Sequence, residues 1–335
     1  MDPDDEVLSD VHLYCKTTAN GTQGKYKLLK SRFLFKIPKK AVEDVIPTEI
    51  LSSEQVPFVT GLDEHKCPVV SSSSDSEGLV LDEDGDVVVS RHKDIEEEQD
   101  VIYIEHAMAT KLSDVGLQVW RGALLLCDFI LSQRSEFIDK VVLELGSGAG
   151  LASILLSAVA QTVYATDTGD EVLALCKKNC ELNKNISCHQ NAINVRELDW
   201  FEDNFCQDPK NPFHWLAEDI CRLKRNIILV AADVIYDEDL TEAFFRRVHR
   251  IMSVPPRKKL YISLEKRLNF TLSDLDVACP AYDHFQQCLS ELTVFREDNG
   301  VTYTVEQVPS TFPQYFKYDR TKYLELWLIT SSFEK

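Results

Sequence analysis

The chain has 335 residues, 44% of them hydrophobic, and a formal net charge of −19 at pH 7. No apolar run approaches the roughly 20 residues of a membrane span and no basic–apolar signal segment opens the sequence, so we expect a soluble intracellular protein. This net negative charge argues against a protein that binds nucleic-acid phosphates, and it favours a cationic partner such as a lysine-rich protein surface.

The first hundred residues divide into two parts. Residues 1–70 contain short apolar runs at 27–29 and 33–37, which we predict to be strands of an N-terminal extension that packs on the main domain. Residues 71–99 are rich in serine and acids, and this combination of low hydrophobicity and like charge predicts a disordered linker.

From residue 101 onward, strand-like and helix-like segments alternate. This alternation predicts an α/β fold, with a mostly parallel sheet and helices on both faces, and the two last strands predict an antiparallel hairpin. We assign the main domain to residues 100–335. The predicted strands are 101–104, 141–145, 162–166, 195–198, 227–231, 260–264, 303–308 and 323–329, and the predicted helices are 116–131, 151–160, 171–182 and 240–251.

A glycine-rich turn follows the strand at 141–145. It contains three alternating glycines, Gly146, Gly148 and Gly150, and a helix begins directly after it. A strand, a glycine turn and a helix N-terminus form a cradle for a nucleotide-like ligand. A dinucleotide fingerprint needs a further glycine where Leu151 stands, so a nicotinamide-dependent oxidoreductase is disfavoured.

Polar and aromatic residues stand where the next strands end. In a doubly wound sheet the ligand lies at the carboxyl ends of the strands. Asp167 follows the second strand of the series and suits the two hydroxyls of a ribose. The third strand is followed by Asp199 and Trp200, an acid and an aromatic face for a base, and the fourth by Asp233 and Tyr236.

These motifs resemble one branch of the S-adenosylmethionine-dependent methyltransferases, methyltransferase family 16, which consists mainly of protein-lysine methyltransferases. The resemblance covers about residues 100–330 and implies a class I (Rossmann-like) fold with a seven-stranded sheet. The matching features are the acid-x-Gly-x-Gly-x-Gly turn from Glu144, the segment 116–120, Thr166-Asp167, Asn179 and Asn183, Leu198-Asp199-Trp200, and the Asp233-x-x-Tyr236 motif.

The resemblance also implies S-adenosylmethionine as the cofactor, S-adenosylhomocysteine as its product, and a role for each matching residue. Asp233 and Tyr236 are implied as the catalytic pair that lines the entrance for the substrate lysine. The implied cofactor contacts are Glu144, Gly146, Ser147 and Gly148 for the methionine part, Asp167 for the ribose, Asp199 and Trp200 for the adenine, and Trp120 and Ala232 beside the reactive end.

We therefore expect a protein-lysine N-methyltransferase that acts as a monomer on a non-histone protein. The family's substrates include chaperones, translation factors and nucleic-acid-binding proteins, and we expect no direct binding to nucleic acid or membrane. The ten cysteines have no short-range disulfide framework, so we expect reduced thiols and a location in the nucleus, the cytoplasm or both. Cys176, Cys180 and Cys188 match no zinc template, so we predict no metal site.

Several alternatives remain open from the sequence. The chain could methylate RNA or a small molecule, or it could be a catalytically silent scaffold that only binds the cofactor. Asp233 could instead cap the helix that begins near Asp239, and Trp120 could be a plain core aromatic. The basic runs Arg246-Arg247 and 257–259 are predicted to be solvated patches.

Overall fold

The structure is a computed structural model that describes residues 6–9, 11–14, 16–23, 25–36, 100–189, 192–267, 269–271, 276–295 and 300–333. The predicted linker at 71–99 lies outside these residues, as does the second half of the predicted extension.

Strands and helices alternate through the main domain as predicted. The helices are α1 (Arg121–Ser132), α2 (Arg134–Phe137), α3 (Leu151–Leu156), α4 (Asp170–Leu182), α5 (Ala217–Leu223), α6 (Glu238–Met252) and α7 (Pro280–Val294), with 3₁₀ turns at Val11–Tyr14 and Leu112–Leu117. The strands are β1 (Glu6–Leu8), β2 (Lys16–Gln23), β3 (Tyr26–Phe35), β4 (Asp100–Ala107), β5 (Ala109–Lys111), β6 (Val141–Leu145), β7 (Thr162–Asp167), β8 (Ile193–Glu197), β9 (Ile227–Ala232), β10 (Lys259–Glu265), β11 (Asn269–Thr271), β12 (Asp276–Ala278), β13 (Val301–Val308) and β14 (Leu324–Phe333).

A seven-stranded sheet forms the centre of the domain, in the order β13-β14-β10-β9-β6-β7-β8. The five strands from β10 to β8 are parallel, and β14 runs antiparallel to both β10 and β13. This confirms the predicted mostly parallel sheet with a C-terminal antiparallel pair. The chain winds outward from β6 to β8 and then returns to β9 on the other side of β6, so the topological switch point lies between β6 and β9.

The register of the strands brings their carboxyl ends to the same level. Leu145, the last residue of β6, is paired with Thr166 of β7 on one side and with Ala231 of β9 on the other. The residues that follow these positions therefore meet at one edge of the sheet. Two buried apolar clusters cover the two faces of the sheet, since Val142 packs into one and Leu143 into the other.

Helix α1 lies on one face of the sheet and is largely buried. With the preceding 3₁₀ turn it forms the stretch Leu112–Ser132, which is long and apolar enough to meet the composition of a membrane span. This differs from the expectation that no apolar run approaches such a length, but 72% of the span-length window is buried inside the protein. It packs on β10, β14 and α3. Its apolar composition is therefore that of a core helix.

Strands β2 and β3 form a smaller antiparallel sheet with β4, while β1 pairs with β5. The predicted apolar run at 27–29 and residues 33–35 of the second run lie in β3. Asn179 of α4 and Asn183, which directly follows this helix, join β4 to the main domain. Asn179 accepts a hydrogen bond from Glu105 N and donates one to Glu105 O, both at 2.8 Å, and Asn183 makes the same pair of bonds with Tyr103 at 2.8 and 2.7 Å. The two amides thus satisfy the outer edge of β4 as another strand would.

The predicted helix at 116–131 is interrupted. The 3₁₀ turn ends at Leu117, α1 begins only at Arg121, and Gln118 and Trp120 between them are extended. The buried side chain of Gln118 explains the break, because its amide accepts a hydrogen bond from Ser9 N at 2.8 Å and donates to Val7 O at 3.0 Å. The first residues of the chain therefore hold the segment before α1 in place.

The prediction that both basic runs are solvated is wrong for one residue in each. Arg247 is 2% exposed and Lys258 is 1% exposed. The Lys258 ammonium donates hydrogen bonds to the carbonyls of Val254 and Pro256, and burial lowers the pKa of Lys258 to about 8. Arg246 and Arg257 are exposed, as predicted.

Candidate functional site

A cleft of about 380 Å³ opens at the carboxyl ends of β6, β7 and β9, beside the switch point. Sequence positions more than a hundred residues apart meet in it. All eleven predicted site residues line this one cleft: Trp120, Glu144, Gly146, Ser147, Gly148, Asp167, Asp199, Trp200, Ala232, Asp233 and Tyr236.

The glycine turn forms the floor of the cleft. Gly146, Gly148 and Gly150 have φ of 75°, 49° and 88°, which side chains rarely adopt. The turn is anchored to the neighbouring strand because Gly146 N and Ser147 N both donate to Thr166 O, at 2.9 and 2.8 Å. A Cβ on Gly146 would also lie 2.6 Å from a methyl carbon of Val234, so only glycine fits here.

Asp167 connects the end of β7 to the glycine turn. One carboxylate oxygen accepts a hydrogen bond from Gly148 N and the other from Thr168 N, both at 2.8 Å. Burial raises the pKa of this carboxyl, and the two backbone donors oppose that shift. The side chain is therefore fixed in the cleft with lone pairs left to accept further hydrogen bonds.

Glu144 is a buried carboxyl beneath the turn, with 2% of its surface exposed. The hydroxyl of Ser153 on α3 donates to it. Burial is the largest cause that raises the pKa of Glu144 from its ordinary value of 4.5 to about 8, and the nearby charge of Asp167 adds to it. A cationic group that enters the cleft would favour the ionised form of Glu144.

Replacing Glu144 by glutamine should make the free energy of unfolding less sensitive to a rise in pH between about 5 and 8. Between about pH 5 and pH 8 the unfolded chain has lost the Glu144 proton while the folded protein still holds it. Native stability therefore falls as pH rises through this window, by up to about 1.4 kcal/mol per pH unit. The Glu144→Gln variant lacks this loss, so its stability relative to the native chain should increase across the window.

Urea unfolding of both proteins at pH 5, 6, 7 and 8 measures this difference. The exposed Glu218→Gln variant is the control for removing one charge. An unchanged difference in the free energy of unfolding from pH 5 to pH 8 would show that Glu144 does not hold a raised pKa.

The loop after β8 forms one wall of the cleft and contributes the aromatic ring of Trp200 to it. Asp199 and Trp200 line it, and Asp199 accepts a hydrogen bond from Phe201 N at 2.9 Å. The indole nitrogen of Trp200 is buried with no hydrogen-bond partner among the described residues. A buried donor of this kind in a cleft points to an acceptor supplied by a ligand or by water.

Arg247 of α6 holds this loop, a role that sequence reasoning missed. Its guanidinium donates to Asp199 O at 3.0 Å, to Asp203 O at 3.2 Å and to Glu202 O. The sequence does contain a signal for the burial of Arg247. This residue lies three positions after Phe244 and four before Ile251, on the apolar stripe of α6.

Asp233 is in the left-handed region, with φ of 53°. One carboxylate oxygen accepts from Gly122 N in the first turn of α1 at 2.5 Å, and the other accepts from Glu265 N at the end of β10 at 2.9 Å. The alternative that Asp233 caps α6 is wrong, since Asp237 does so by accepting from Leu240 N at 2.8 Å. Asp233 instead fixes two elements around the cleft.

Trp120 and Tyr236 also line the cleft. The indole of Trp120 donates to Val115 O at 3.1 Å, and the guanidinium carbon of Arg267 lies 4.3 Å from its ring centroid. Trp120 is half-buried and lines the cleft, so it is more than a core aromatic. Burial raises the pKa of Tyr236, which keeps its phenol neutral.

No group of three or more potential metal ligands occurs among the described residues. Cys176 lies directly under the glycine turn, with its sulfur 3.6 Å from the hydroxyl of Ser147. The eight cysteines in the described part of the chain are all free thiols.

A family model described as lysine methyltransferase matches residues 96–276. Methyltransferase-like protein 22 of Mus musculus is 41% identical to this chain, in an alignment that covers 97% of this chain and 95% of that protein. Its human counterpart is 44% identical over 80% of this chain and 69% of its own length. The protein-lysine methyltransferase METTL21E of Mus musculus is 34% identical over 31% of this chain and 44% of its own length. These comparisons confirm the resemblance inferred from the motifs.

Proposed function

The chain belongs to the lysine methyltransferase family, and on that premise we propose that its substrate is a non-histone protein that presents an exposed lysine to this cleft. It is a protein-lysine N-methyltransferase, and its cofactor is S-adenosylmethionine. The convergence of eleven separate motif residues on one cleft carries the proposal.

The residues of the cleft fit this cofactor. It combines an amino-acid end, a nucleoside and a cationic sulfonium, and the cleft offers a matching group for each. Gly146 and Gly148 would allow the amino-acid end to approach the backbone, with Glu144 facing its cationic amine. Asp167 would accept the ribose hydroxyls, and the unpartnered indole N–H of Trp200 would meet an acceptor on the adenine side.

S-adenosylmethionine supplies a methyl group on a sulfonium, so the protein has to align a neutral amine with that methyl rather than generate a strong electrophile. A free lysine with a pKa near 10.4 costs about 4 to 5 kcal/mol to deprotonate at pH 7. Both oxygens of Asp233 already accept backbone hydrogen bonds. We therefore propose that Asp233 positions the lysine amine. The proton of this amine is transferred to water before methyl transfer.

Tyr236 has a different task. Its phenol stays neutral because burial and the neighbouring carboxylates raise its pKa. A neutral ring at the entrance can pack against the aliphatic stem of a lysine and against a cationic group by a cation–π contact. It would also exclude water from the reacting atoms.

The charge of the chain supports a cationic protein substrate over RNA. A net charge of −19 repels nucleic-acid phosphates and attracts a lysine-bearing surface. The family's non-histone substrates support the finer proposal of a non-histone target. On the same basis we propose a monomeric enzyme of the nucleus, the cytoplasm or both, in line with the free thiols of the described residues.

Transfer of labelled methyl groups tests the proposal. The purified chain is incubated with tritiated S-adenosylmethionine and either cell extract or recombinant core histones, beside an Asp233→Asn variant. We expect labelled protein bands from the extract but not from the histones, loss of these bands in the variant, and methyl-lysine on amino-acid analysis. Label that appears only in methyl-arginine, RNA or histones would overturn the proposal.

A further inference from the structure

A second cavity, of about 470 Å³, is lined by Tyr236 and by the residues that follow it at the start of α6. Tyr236 lines both spaces, so the two adjoin each other at this residue. The volume is in the range of about 300–1,000 Å³ that is typical of ligand pockets. A substrate that brings a side chain to the cleft past Tyr236 would lay its neighbouring residues over this cavity.

One wall of the cavity is apolar and includes the N-terminal strand. Val7 of β1 and Leu112 line it, together with Ile235. The position of Val7 is fixed because Gln118 donates to its carbonyl at 3.0 Å and β1 pairs with β5. Strand β1 is therefore held in place as part of the cavity wall. The apolar side chains of this wall suit the aliphatic parts of a bound peptide segment.

The other wall carries negative charge. Asp237, Glu238 and Asp239 line the cavity and are exposed, and no ion pair joins them to a cation within the described ranges. Glu265 also lines it, but Arg121 lies 2.9 Å from its carboxylate. The one basic residue of the lining, Arg267, is stacked on Trp120.

These three carboxylates stand at the N-terminus of α6, where the helix dipole favours negative charge. Asp237 caps α6 with its side chain, which is the usual use of an aspartate at a helix N-terminus. Glu238 and Asp239 in the first turn are exposed, and they make no side-chain hydrogen bond to a described residue. Their carboxylates are left to act on whatever enters the cavity.

We propose that this cavity binds the residues flanking the target lysine, and that the bound segment carries an arginine or lysine within about three residues of the target. The inference rests on the proposed function and specifies the substrate as a basic segment. Consecutive residues of an extended chain are about 3.3–3.6 Å apart, so a neighbour two or three positions away reaches from Tyr236 to the first turn of α6. A basic side chain there would form ion pairs with the carboxylates of Glu238 and Asp239, which pair with no cation in the described part of the chain.

Peptide binding tests this directly, without turnover. Three fluorescent 11-residue peptides share a central lysine and differ at the positions two residues on each side, which are arginine, alanine or glutamate. Their affinities for the full chain are measured by anisotropy in the presence of S-adenosylhomocysteine at about 0.05 and 0.3 M salt. We expect the arginine peptide to bind about tenfold more tightly than the alanine peptide at low salt, with a smaller ratio at high salt.

The double variant Glu238→Gln, Asp239→Asn should weaken binding of the arginine peptide about fivefold and leave the alanine peptide within about twofold. The matched control is Glu218→Gln, Glu291→Gln, which removes the same charge from exposed positions outside both cavities. Equal affinities for the three peptides, or an equal loss in the control, would overturn the inference.

Labelled S-adenosylmethionine with the same peptides separates this result from the proposed function. Methyl-lysine formed equally on all three peptides would retain the function and reject the basic-segment preference. Charge-selective binding with methyl transfer to none of them would retain the cavity as a basic-segment site and count against the enzyme's action on such segments.

Discussion

Replacing Asp233 by asparagine should lower the rate of methyl transfer by about 10²-fold while the affinity for S-adenosylmethionine changes by less than about threefold. Asparagine tolerates the left-handed backbone at this position. Its amide has one oxygen, so it can accept from only one of the two donors, Gly122 N and Glu265 N, that Asp233 holds at 2.5 and 2.9 Å. A shift of about 1 Å at a reacting group can cost on the order of 10²-fold in rate.

Initial rates at saturating cofactor, together with calorimetric titration of the cofactor, measure the two effects. The control is Asp128→Asn in α1, the helix whose Gly122 N donates to Asp233. Asp128 also accepts two backbone hydrogen bonds, from Tyr315 N at 2.7 Å and Phe316 N at 3.0 Å, but it does not line the cleft. It should lose stability, because breaking the ion pair with Arg320 at 2.5 Å leaves the half-buried Arg320 guanidinium without its carboxylate partner, and the folded protein should keep its rate. A native rate in Asp233→Asn would show that Asp233 has no part in catalysis.

Replacing Gly146 by alanine should abolish cofactor binding and reduce the free energy of unfolding by about 2 to 4 kcal/mol. The left-handed backbone costs an alanine about 1 kcal/mol, and overpacking a buried contact costs about 1–3 kcal/mol more. The new Cβ would lie 2.6 Å from Val234, which is 5% exposed and cannot move into solvent. The floor of the cleft would have to shift.

Gly21→Ala isolates the backbone cost from the steric one. Gly21 has a φ of 80°, close to that of Gly146, but nothing lies within 4 Å of the position of its Cβ, and it does not line the cleft. Its variant should lose only about 1 kcal/mol and still bind the cofactor. Calorimetric titration and urea unfolding of both variants provide the comparison. Equal losses in the two variants would mean that the close contact with Val234 is unimportant.

The sequence was most informative where a local pattern determines position. The alternation of strands and helices predicted the sheet, and the rule that ligands lie at strand carboxyl ends selected Asp167, Asp199 and Asp233. Because parallel strands end at one level, a residue that follows a strand is placed in space by its place in the chain. All eleven predicted site residues accordingly line one cleft, although their individual roles stay predictions.

The features that were missed depend on contacts between distant segments. The break before α1 requires Gln118 to bond with Ser9, more than a hundred residues earlier. The burial of Arg247 requires the carbonyls of the loop after β8, and that of Lys258 requires the carbonyls of Val254 and Pro256. Composition alone predicts that the side chains of Arg247 and Lys258 are solvated. Helix α7 also escaped prediction, although a proline at its first turn marks its beginning.

Hydrogen exchange of the full chain, with and without S-adenosylhomocysteine and then with the arginine peptide, tests most directly whether this cleft holds the cofactor and receives the lysine beside Tyr236. Added alone, S-adenosylhomocysteine should protect the backbone amides of the cleft, and the peptide should extend protection to 237–239 and to the first strand. Protection confined to other parts of the chain, or none at a cofactor concentration that saturates binding, would contradict this assignment. The segments expected to gain protection from S-adenosylhomocysteine are 113–120, 144–152, 167–168, 198–201 and 232–236.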